Sequence, residues 1–501
     1  MSVAQRVAKN SLVLLASEVI TYLLFFISGM FTARHLGPAS YGILSFGVAY
    51  TALFVVLTDL GLSFVTIRDV SRDKSLASKY FANVGLMKVL LAVLTITLIA
   101  VTMNVGKIVM GYPQQTITVV YLIGLSVAFT GINQMCFSLF RAFERMEYQS
   151  LGQIVRAALM LAGVIIAVKI GFGVVGFASL YFFASLGTLA CSLTILGWKF
   201  SNYQIWSHLR TAIDWGFWKP ALKQAFPFAL SLIFITINFS IDTVMLSAMV
   251  PESDKVVGLY TAAFRLLVML LSIRMALSLA LFPVMSQAHA TSKESLKLIS
   301  ERFFKYSLIL ALPIGVGTTI LATRFISLVY GSEYLSAALA LQILVWSAVL
   351  GYVNFTSSVF QATNRQAMVA KLTGFGAVLN ILLNLLLIPF FGYIGAAAST
   401  TAVAVVVLSI SLVIIARTEY ALGIPFAVRN VTKVLIASAA MGCFVWYLQD
   451  LNLAILVILG ALVYAAAIVL TKTFDRTDLH ILTGVVRNEA VLTKLDTDQA
   501  G

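Results

Sequence analysis

YGILSFG at residues 41–47 returns as VGLYTAA at residues 257–263, with Gly258 in the place of Gly42 and an offset of 216. Two more pairs of segments match in the same order at offsets of 220 and 219: LFRAFERMEYQ with VFQATNRQAMV (139–149 and 359–369), and GFGVVGFASL with FFGYIGAAAST (171–180 and 390–400). Three ordered matches at nearly one spacing indicate an internal duplication. The fold therefore depends on what kind of unit is duplicated.

The duplicated segments lie in and between long apolar runs. The chain has 501 residues, of which 60% are hydrophobic and 11% are charged, and its mean hydropathy is +0.98. Soluble chains carry about a quarter charged residues, and runs of about 20 apolar residues predict transmembrane helices. Six such runs precede a polar stretch and eight follow it: 11–33, 41–65, 81–103, 117–140, 151–170, 174–196, 225–249, 258–285, 306–323, 337–360, 370–391, 394–416, 430–449 and 452–471. The predicted fold class is an all-α polytopic membrane protein with about fourteen transmembrane helices.

The charges are distributed unevenly between the two sides of this arrangement. Of the 34 lysines and arginines, 25 lie in or beside the termini and the even-numbered loops, and 5 lie in or beside the odd-numbered loops. Cytoplasmic loops carry the excess of positive charge, so both termini are predicted to be cytoplasmic and the protein to lie in the plasma membrane. The net charge of +14 is spread between apolar runs rather than collected in one patch, so we expect no nucleic-acid partner.

The duplication also predicts the domain organisation. An even number of spans separates the two copies, so both have the same orientation, an arrangement found in secondary transporters that hold their substrate between the two halves. The predicted segments are a six-helix lobe (1–198), a cytoplasmic amphipathic linker (199–224), a second six-helix lobe (225–418), two extra transmembrane helices (419–472) and a cytoplasmic tail (473–501).

Nothing in the chain has the pattern of a catalytic or metal site. The three cysteines lie in apolar runs, and the four histidines are scattered without metal-ligand spacing. No loop is long enough for an external catalytic domain, and no phosphate-binding loop of the ATPase type occurs. We therefore expect no catalytic residue, metal or cofactor, and a transporter without covalent chemistry.

The chain resembles the polysaccharide and oligosaccharide flippases, of the superfamily that includes the multidrug and toxin extrusion transporters. The resemblance covers residues from about 5 to 470 and rests on five segments: ARHLGPASYGILS (33–45), AFPFALSLIFITINFSIDTVMLS (225–247), VGLYTAAFRL (257–266), LFPVMSQ (281–287) and NRQAMVAKL (364–372). It implies two six-helix lobes around a central cavity that opens alternately to either face. It also implies export of a lipid diphosphate-linked glycan.

Such a cargo is anionic, and the eighth run carries two arginines. Arg265 and Arg274 lie nine residues apart, on opposite sides of a helix and about 13 Å apart along it. The resemblance places a phosphate-contacting arginine at the position of Arg265, whose side of the helix is small and polar. Arg274 shares its side with leucines. The alternatives are that Arg265 reaches the outer interface and that Arg274 is a partnered structural charge; both remain candidate phosphate ligands.

The seventh run carries an acid on a polar face. Asn238 and Asp242 lie four residues apart, one helical turn. Three roles stay open for Asp242: binding a coupling cation together with Asn238, pairing with Arg265, or capping the outer end of the helix. In the eleventh run, Asn380 and Asn384 belong to a polar seam that is interpreted as interhelical packing.

Three more charges lie in the first half. Glu18, Asp59 and Lys88 are predicted at similar depth and can form one cluster if the first three spans are adjacent. The cluster is either a structural set of ion pairs or a proton or cation site for coupling.

The leading hypothesis is a flippase that moves a polyprenyl (di)phosphate-linked oligosaccharide from the cytoplasmic to the outer leaflet by alternating access. The expected partners are this substrate, membrane lipids and the glycosyltransferases or polymerase of the same pathway. The alternatives are a Na⁺- or H⁺-coupled exporter of drugs or amphiphiles, and a membrane-embedded glycan polymerase or glycosyltransferase.

Overall fold

The computed structural model describes residues 3–200, 213–474 and 478, and the regular structure in this part of the chain is helical, which confirms the predicted fold class. Most of the predicted tail helix and residues 201–212 of the predicted linker lie outside the described residues. The helices are α1 Val3–Val55, α2 Leu62–Arg72, α3 Ala77–Met110, α4 Gln114–Ala142, α5 Met146–Ile170, α6 Val174–Lys199, α7 Trp215–Met249, α8 Ser253–Thr291, α9 Lys293–Tyr330, α10 Ala337–Val353, α11 Thr356–Ala362, α12 Gln366–Ala416, α13 Ile424–Tyr447 and α14 Leu453–Leu470.

Two long helices are each divided by a glycine. Within the described chain, twelve helices are long and apolar enough to cross a membrane. In α1, Gly37 has φ 70° and is followed by Pro38; in α12, Gly392 has φ 54° and lies three residues after Pro389. Positive φ is easily adopted by glycine, which has no Cβ, so each glycine separates two helical segments. Twelve helices with two of them divided account for the fourteen predicted spans.

The predicted span 41–65 is wrong at its end. Helix α1 ends at Val55 and a short 3₁₀ turn continues to Thr58, after which Leu60 (φ 45°) and Gly61 (φ 82°) turn the chain into the separate helix α2. Hydropathy does not register this turn because the residues around it are apolar. The predicted span 337–360 is likewise interrupted, at Asn354 between α10 and α11.

The duplication is visible in backbone geometry at the turns before α5 and α12. Glu144 and Asn364, which the repeat aligns, both have positive φ, 57° and 59°. In the first turn the Arg145 amide donates to the carbonyl of Phe140 at 2.9 Å, and in the second the Arg365 amide donates to that of Phe360 at 2.7 Å. Identical hydrogen bonding at both turns supports the repeat that the sequence predicts.

The chain forms two compact units. The first contains Met1–Ala262, Val329–Tyr334 and Thr373–Ala396, and the second contains Ala263–Leu328, Leu335–Leu372 and Ala397–Gly501. Each has a buried apolar core. The predicted lobes are defined by the duplication rather than by these contacts, and they remain a prediction. The core of the first unit includes Leu62, Phe137, Phe140 and Leu196; that of the second includes Phe303, Phe304, Phe355 and Phe360.

Candidate functional site

Asp242 lies at the centre of a buried polar cluster in the first unit. Its carboxylate accepts a hydrogen bond from the Tyr260 hydroxyl at 2.5 Å and another from the Asn384 side-chain amide at 2.5 Å. Asn384 also donates to the Oδ1 atom of Asn380 at 3.2 Å. All four side chains are at most 3% exposed. The helices α7, α8 and α12 thus bring four polar groups together where apolar burial would exclude water.

The sequence builds this cluster from two polar faces that meet. Asn238 and Asp242 are one turn apart on α7, and Asn380 and Asn384 are one turn apart on α12. A turn away, the Asn238 amide donates to the backbone carbonyl of Thr373 at 3.3 Å. The polar seam of the eleventh predicted span therefore packs against the acid of the seventh, a pairing that sequence reasoning did not make.

One oxygen of this cluster has no hydrogen-bond partner among the described residues. The Asn384 Oδ1 atom is buried and unsatisfied. Leaving such an acceptor without a hydrogen bond costs about 1–3 kcal/mol of folding free energy. A carboxylate beside amide oxygens is the kind of ligand set that hard cations prefer. The described residues contain no group of three or more His, Cys, Asp or Glu side chains positioned for a metal ion.

The cluster predicted in the first half is only partly assembled. The Lys88 ammonium donates to the Asp59 carboxylate and to the Ser63 hydroxyl, the latter at 3.0 Å, and the Ser63 hydroxyl donates to Asp59 at 2.5 Å. The Lys88 side chain is 0% exposed and that of Asp59 is 14% exposed. Glu18 does not join them: it lies exposed on α1, within electrostatic range of Arg141.

Arg274 is another cation of an apolar helix, and its surroundings differ from those of Lys88. It lies in α8 beside Gly351 of α10, where a Cβ atom would approach the Arg274 Cδ atom to 4.0 Å. The Arg274 Nε atom is buried without a hydrogen-bond partner in the described part of the chain, and no ion pair to a carboxylate occurs there. Both alternatives for Arg274, a phosphate ligand and a partnered structural charge, remain predictions.

Arg265 is the third residue of the second unit, which begins at Ala263, and it is half-buried. The small, polar side of α8 that was predicted to accompany it is buried at Thr261 and Ala262. Its assignment as a phosphate ligand remains a prediction.

The duplicated glycines explain how α1 and α8 pack so closely. A Cβ atom at Gly42 would lie 1.7 Å from the carbonyl oxygen of Asp254, and one at Gly258 would lie 1.9 Å from that of Pro38. Real Cβ atoms do not approach within 3.0 Å, so only glycine permits this backbone crossing. The crossing at Gly258 lies two residues from Tyr260 and so positions the Asp242 cluster.

Tyr260 is the clearest residue that sequence reasoning missed. Its hydroxyl binds Asp242 from another helix, 18 residues away in the chain. The signal that would have found it is its place in the duplicated segment VGLYTAA, where it directly precedes the small residues of the α8 face.

Two family models match the chain. The family described as "Polysaccharide biosynthesis protein" matches residues 7–289, more than half of the chain, and the family described as "MatE" matches residues 227–386.

Two curated archaeal relatives are similar in sequence. Agl15 of Haloferax volcanii, described as a probable low-salt glycan biosynthesis flippase, is 24% identical over 405 residues, which is 78% of this chain and 80% of Agl15. MJ1068 of Methanocaldococcus jannaschii, described as an uncharacterized membrane protein, is 37% identical over 124 residues. That alignment covers 24% of each protein, so the chain matches about a quarter of MJ1068.

Two solved structures share the fold. The lipid II flippase MurJ in an inward closed conformation has a TM-score of 0.72 at 15% identity, covering 90% of this chain and 97% of MurJ. An inward-facing multidrug resistance MATE family transporter of the MOP superfamily has a TM-score of 0.65 at 18% identity, covering 79% of this chain and 94% of the transporter. These similarities show a common multi-pass membrane fold.

Proposed function

The chain belongs to the polysaccharide biosynthesis protein family, and from this premise we propose that it is a flippase for a polyprenyl (di)phosphate-linked oligosaccharide. It carries this lipid from the cytoplasmic to the outer leaflet by alternating access, for cell-surface polysaccharide or glycoprotein assembly. The proposal is supported by the description of Agl15 as a probable glycan biosynthesis flippase and by the fold shared with MurJ.

The observation that carries the proposal is the Nε atom of Arg274, which is buried without a hydrogen-bond partner among the described residues. A charge within a membrane-spanning helix is costly and marks a substrate or ion pathway by default. Arg274 has a buried Nε atom without a partner among the described residues, so the protein retains an expensive group that nothing described neutralises. A phosphate oxygen satisfies it, because the guanidinium fork matches phosphate geometry and stays protonated at any physiological pH.

Arg265 extends the same interpretation along α8. It lies about 13 Å from Arg274 along a straight helix, so the two arginines contact an anionic lipid at successive positions rather than together. We expect the lipid diphosphate to pass from one guanidinium to the other as the cavity opens to the opposite face.

The Asp242 cluster is proposed as the coupling site. Asn384 Oδ1 is a buried acceptor without a partner, and it lies beside a carboxylate whose other donors are already in place. A Na⁺ ion or a proton bound between them satisfies this oxygen. Because the cluster joins α7, α8 and α12, its occupancy changes how tightly these helices hold together, which links ion binding to alternating access.

Export of drugs or amphiphiles coupled to Na⁺ or H⁺ is the second candidate. It is favoured by the "MatE" match, which spans residues 227–386 and so contains Asp242 and Asn384. The two candidates differ in the charge of the cargo: Arg265 and Arg274 favour an anionic lipid over a cationic drug.

The direction of transport is proposed together with the topology. The excess of basic residues places both termini in the cytoplasm. Asp478 in the tail bonds to Lys305 near the start of α9, so the tail and this end of α9 lie on one side of the membrane. Glycosyltransferases or a polymerase of the same pathway would then deliver and consume the glycan on opposite faces.

The proposal is tested with purified protein in liposomes that contain a fluorescent polyprenyl diphosphate-linked sugar. We expect the protein to move this lipid between leaflets, as measured by the fraction that a membrane-impermeant quencher reaches. The same lipid carrier without phosphate, linked to the same sugar, is the matched control and should move much more slowly. Equal transfer of both lipids, or no protein-dependent transfer, would contradict the flippase assignment.

The coupling site is tested in the same liposomes under an imposed Na⁺ or H⁺ gradient. Asn384→Leu removes the unsatisfied oxygen, whereas Asn104→Leu removes an exposed amide whose partners are Tyr121 and a backbone carbonyl. We expect Asn384→Leu to abolish the dependence of transfer on the gradient and Asn104→Leu to preserve it. Unchanged gradient dependence in Asn384→Leu would leave the Asp242 cluster as a structural element.

A further inference from the structure

Two buried lysines occupy corresponding positions in the two copies of the duplication. Lys305 follows Lys88 by 217 residues, within the offsets of 216 to 220 that relate the copies. Lys88 is 0% exposed and Lys305 is 2% exposed, which places both among the largest fully buried side chains. A buried lysine requires a counter-charge, because removing an ammonium group from water is expensive.

The first copy supplies this counter-charge from within the repeat. Lys88 bonds to Asp59, which precedes it on the neighbouring segment. The position that corresponds to Asp59 in the second copy falls at Met275 or Ala276, and the sequence from 255 to 293 contains no Asp or Glu. In the second copy, α8 therefore carries an apolar residue at that position, and the base Arg274 lies one or two residues before it.

The carboxylate for Lys305 comes instead from the C-terminal tail. Asp478 bonds to the Lys305 ammonium through its Oδ2 atom, and its Oδ1 atom accepts from Arg302 Nη1 at 2.8 Å and from the Tyr306 hydroxyl at 2.9 Å. The Asp478 side chain is 0% exposed, and that of Arg302 is 12% exposed. One tail residue is thus held by three side chains on successive turns of α9.

We propose that Asp478 performs for Lys305 the task that Asp59 performs for Lys88, and that the tail is an integral part of the second unit. The duplicated lysine has kept its need for a carboxylate, while α8 has lost the acid and carries Arg274 close to its position. The tail restores the missing negative charge and fixes the cytoplasmic end of α9. Asp478 is a positioning residue, and this role does not depend on what the protein transports.

The experiment measures thermal stability and tail cleavage in the purified full chain. Asp478→Asn leaves Arg302 and Lys305 without this carboxylate, so we expect a lower Tm. We also expect trypsin to cleave after Arg476 on the order of tenfold faster, since cleavage follows the population of the released tail. Asp478→Glu keeps the charge and should retain most of the protection. Asp498→Asn, which removes the same charge from the same tail, is the matched control and should behave like the wild type.

A charge-deletion cycle separates ion pairing from general damage. Lys305→Met together with Asp478→Asn leaves neither partner charged, so the double variant should have a higher Tm than Asp478→Asn alone. Recovery in the double variant supports the proposal. Asp478→Asn with the Tm and cleavage rate of Asp498→Asn, or a double variant no more stable than Asp478→Asn, would overturn it.

Discussion

Lys88 and Arg274 are both cations in membrane-spanning helices, yet their hydrogen-bonding surroundings differ. Lys88 is surrounded by acceptors: the Asp59 carboxylate, the Ser63 hydroxyl and, at 3.5 Å, the carbonyl of Gly131. Arg274 has a glycine beside its stem and a buried Nε atom that no described residue satisfies.

The difference indicates which charge serves the fold and which serves a ligand. A buried ion pair with its hydrogen bonds complete has no capacity left for substrate, and its loss is felt as instability. A cation that is buried without a complete set of partners costs stability in the resting protein, so its retention is explained by an anion that binds it during function. Sequence reasoning favoured Arg265 as the phosphate ligand; the surroundings of Arg274 make it at least as strong a candidate.

The largest expected effect is on the stability of the Lys88 pair. Lys88→Met leaves the Asp59 carboxylate buried without its cation, which costs about 3–5 kcal/mol. We expect a strongly reduced Tm in detergent, with recovery when Asp59→Asn is added. Arg145→Met, which removes an exposed cation paired with Glu147 at 3.4 Å, should cost less than about 1 kcal/mol. A Lys88→Met variant as stable as Arg145→Met would contradict the claim that the buried Lys88 pair stabilises the fold.

A carboxylate placed beside Arg274 should form an ion pair with it, as Asp59 does with Lys88. Gly351→Asp introduces an acid where the added Cβ would meet only ordinary contacts, 3.6 Å from Leu271 and 4.0 Å from Arg274. We expect this variant to fold, because it pairs a buried charge, but to lose transport by roughly 10- to 100-fold, the range of a charged hydrogen bond to the substrate. Gly351→Asn supplies the same shape without charge. Equal transport by the two variants would show that Arg274 does not need to be unpaired.

A smaller effect is expected from the hydroxyl that completes the Lys88 pair. Ser63→Ala removes one donor to Asp59 and one acceptor from Lys88 while the ion pair stays. The expected loss is about 1 kcal/mol of unfolding free energy, measured by chemical denaturation with secondary-structure readout. A loss as large as that of Lys88→Met would mean that the hydroxyl, rather than the ion pair, holds the site together.

The smallest effect is expected at the partly exposed pair of Arg68 and Asp69. The Arg68 guanidinium, which donates to Asp69 at 2.6 Å, holds the pKa of that carboxyl below its usual range, assisted by the Tyr80 hydroxyl. A lowered folded-state pKa gives stability that is present above the unfolded value near 4 and is lost as pH falls.

The difference in unfolding free energy between wild type and Asp69→Asn, followed through Tm, should therefore be constant from about pH 7 to 5 and shrink below about pH 4. Its size should be under about 1 kcal/mol. A difference that grows on acidification would contradict this sign. Comparing this loss of stability with that of Lys88→Met measures how much burial adds to the free energy that an ion pair contributes.

Several features of the site could be read from the sequence because they depend on local spacing. Hydropathy predicted the spans, and the repeat aligned Glu144 with Asn364, where the structure has equivalent turns. Helical periodicity placed Asn238 with Asp242. Charge in an apolar run drew attention to Lys88 and Asp59, and the structure joins them.

The rest depends on contacts between distant segments. The pairing of Asp242 with Asn384 joins residues 142 positions apart, and no periodicity of either helix specifies it. The end of the predicted span 41–65 was missed because the turn at Gly61 is apolar. Glu18 was grouped with Asp59 and Lys88 from depth alone, and depth does not say which side of α1 faces them.

The most direct test is the transfer of a polyprenyl diphosphate-linked sugar by wild-type protein, Arg274→Lys and Arg274→Met in liposomes, with equal amounts of folded protein confirmed by Tm. If Arg274 is the phosphate ligand, Arg274→Met should fall to the protein-free rate, Arg274→Lys should retain part of the activity because it keeps the charge without the fork, and neither variant should have a lower Tm than the wild type. Wild-type transfer by folded Arg274→Met would contradict the proposal.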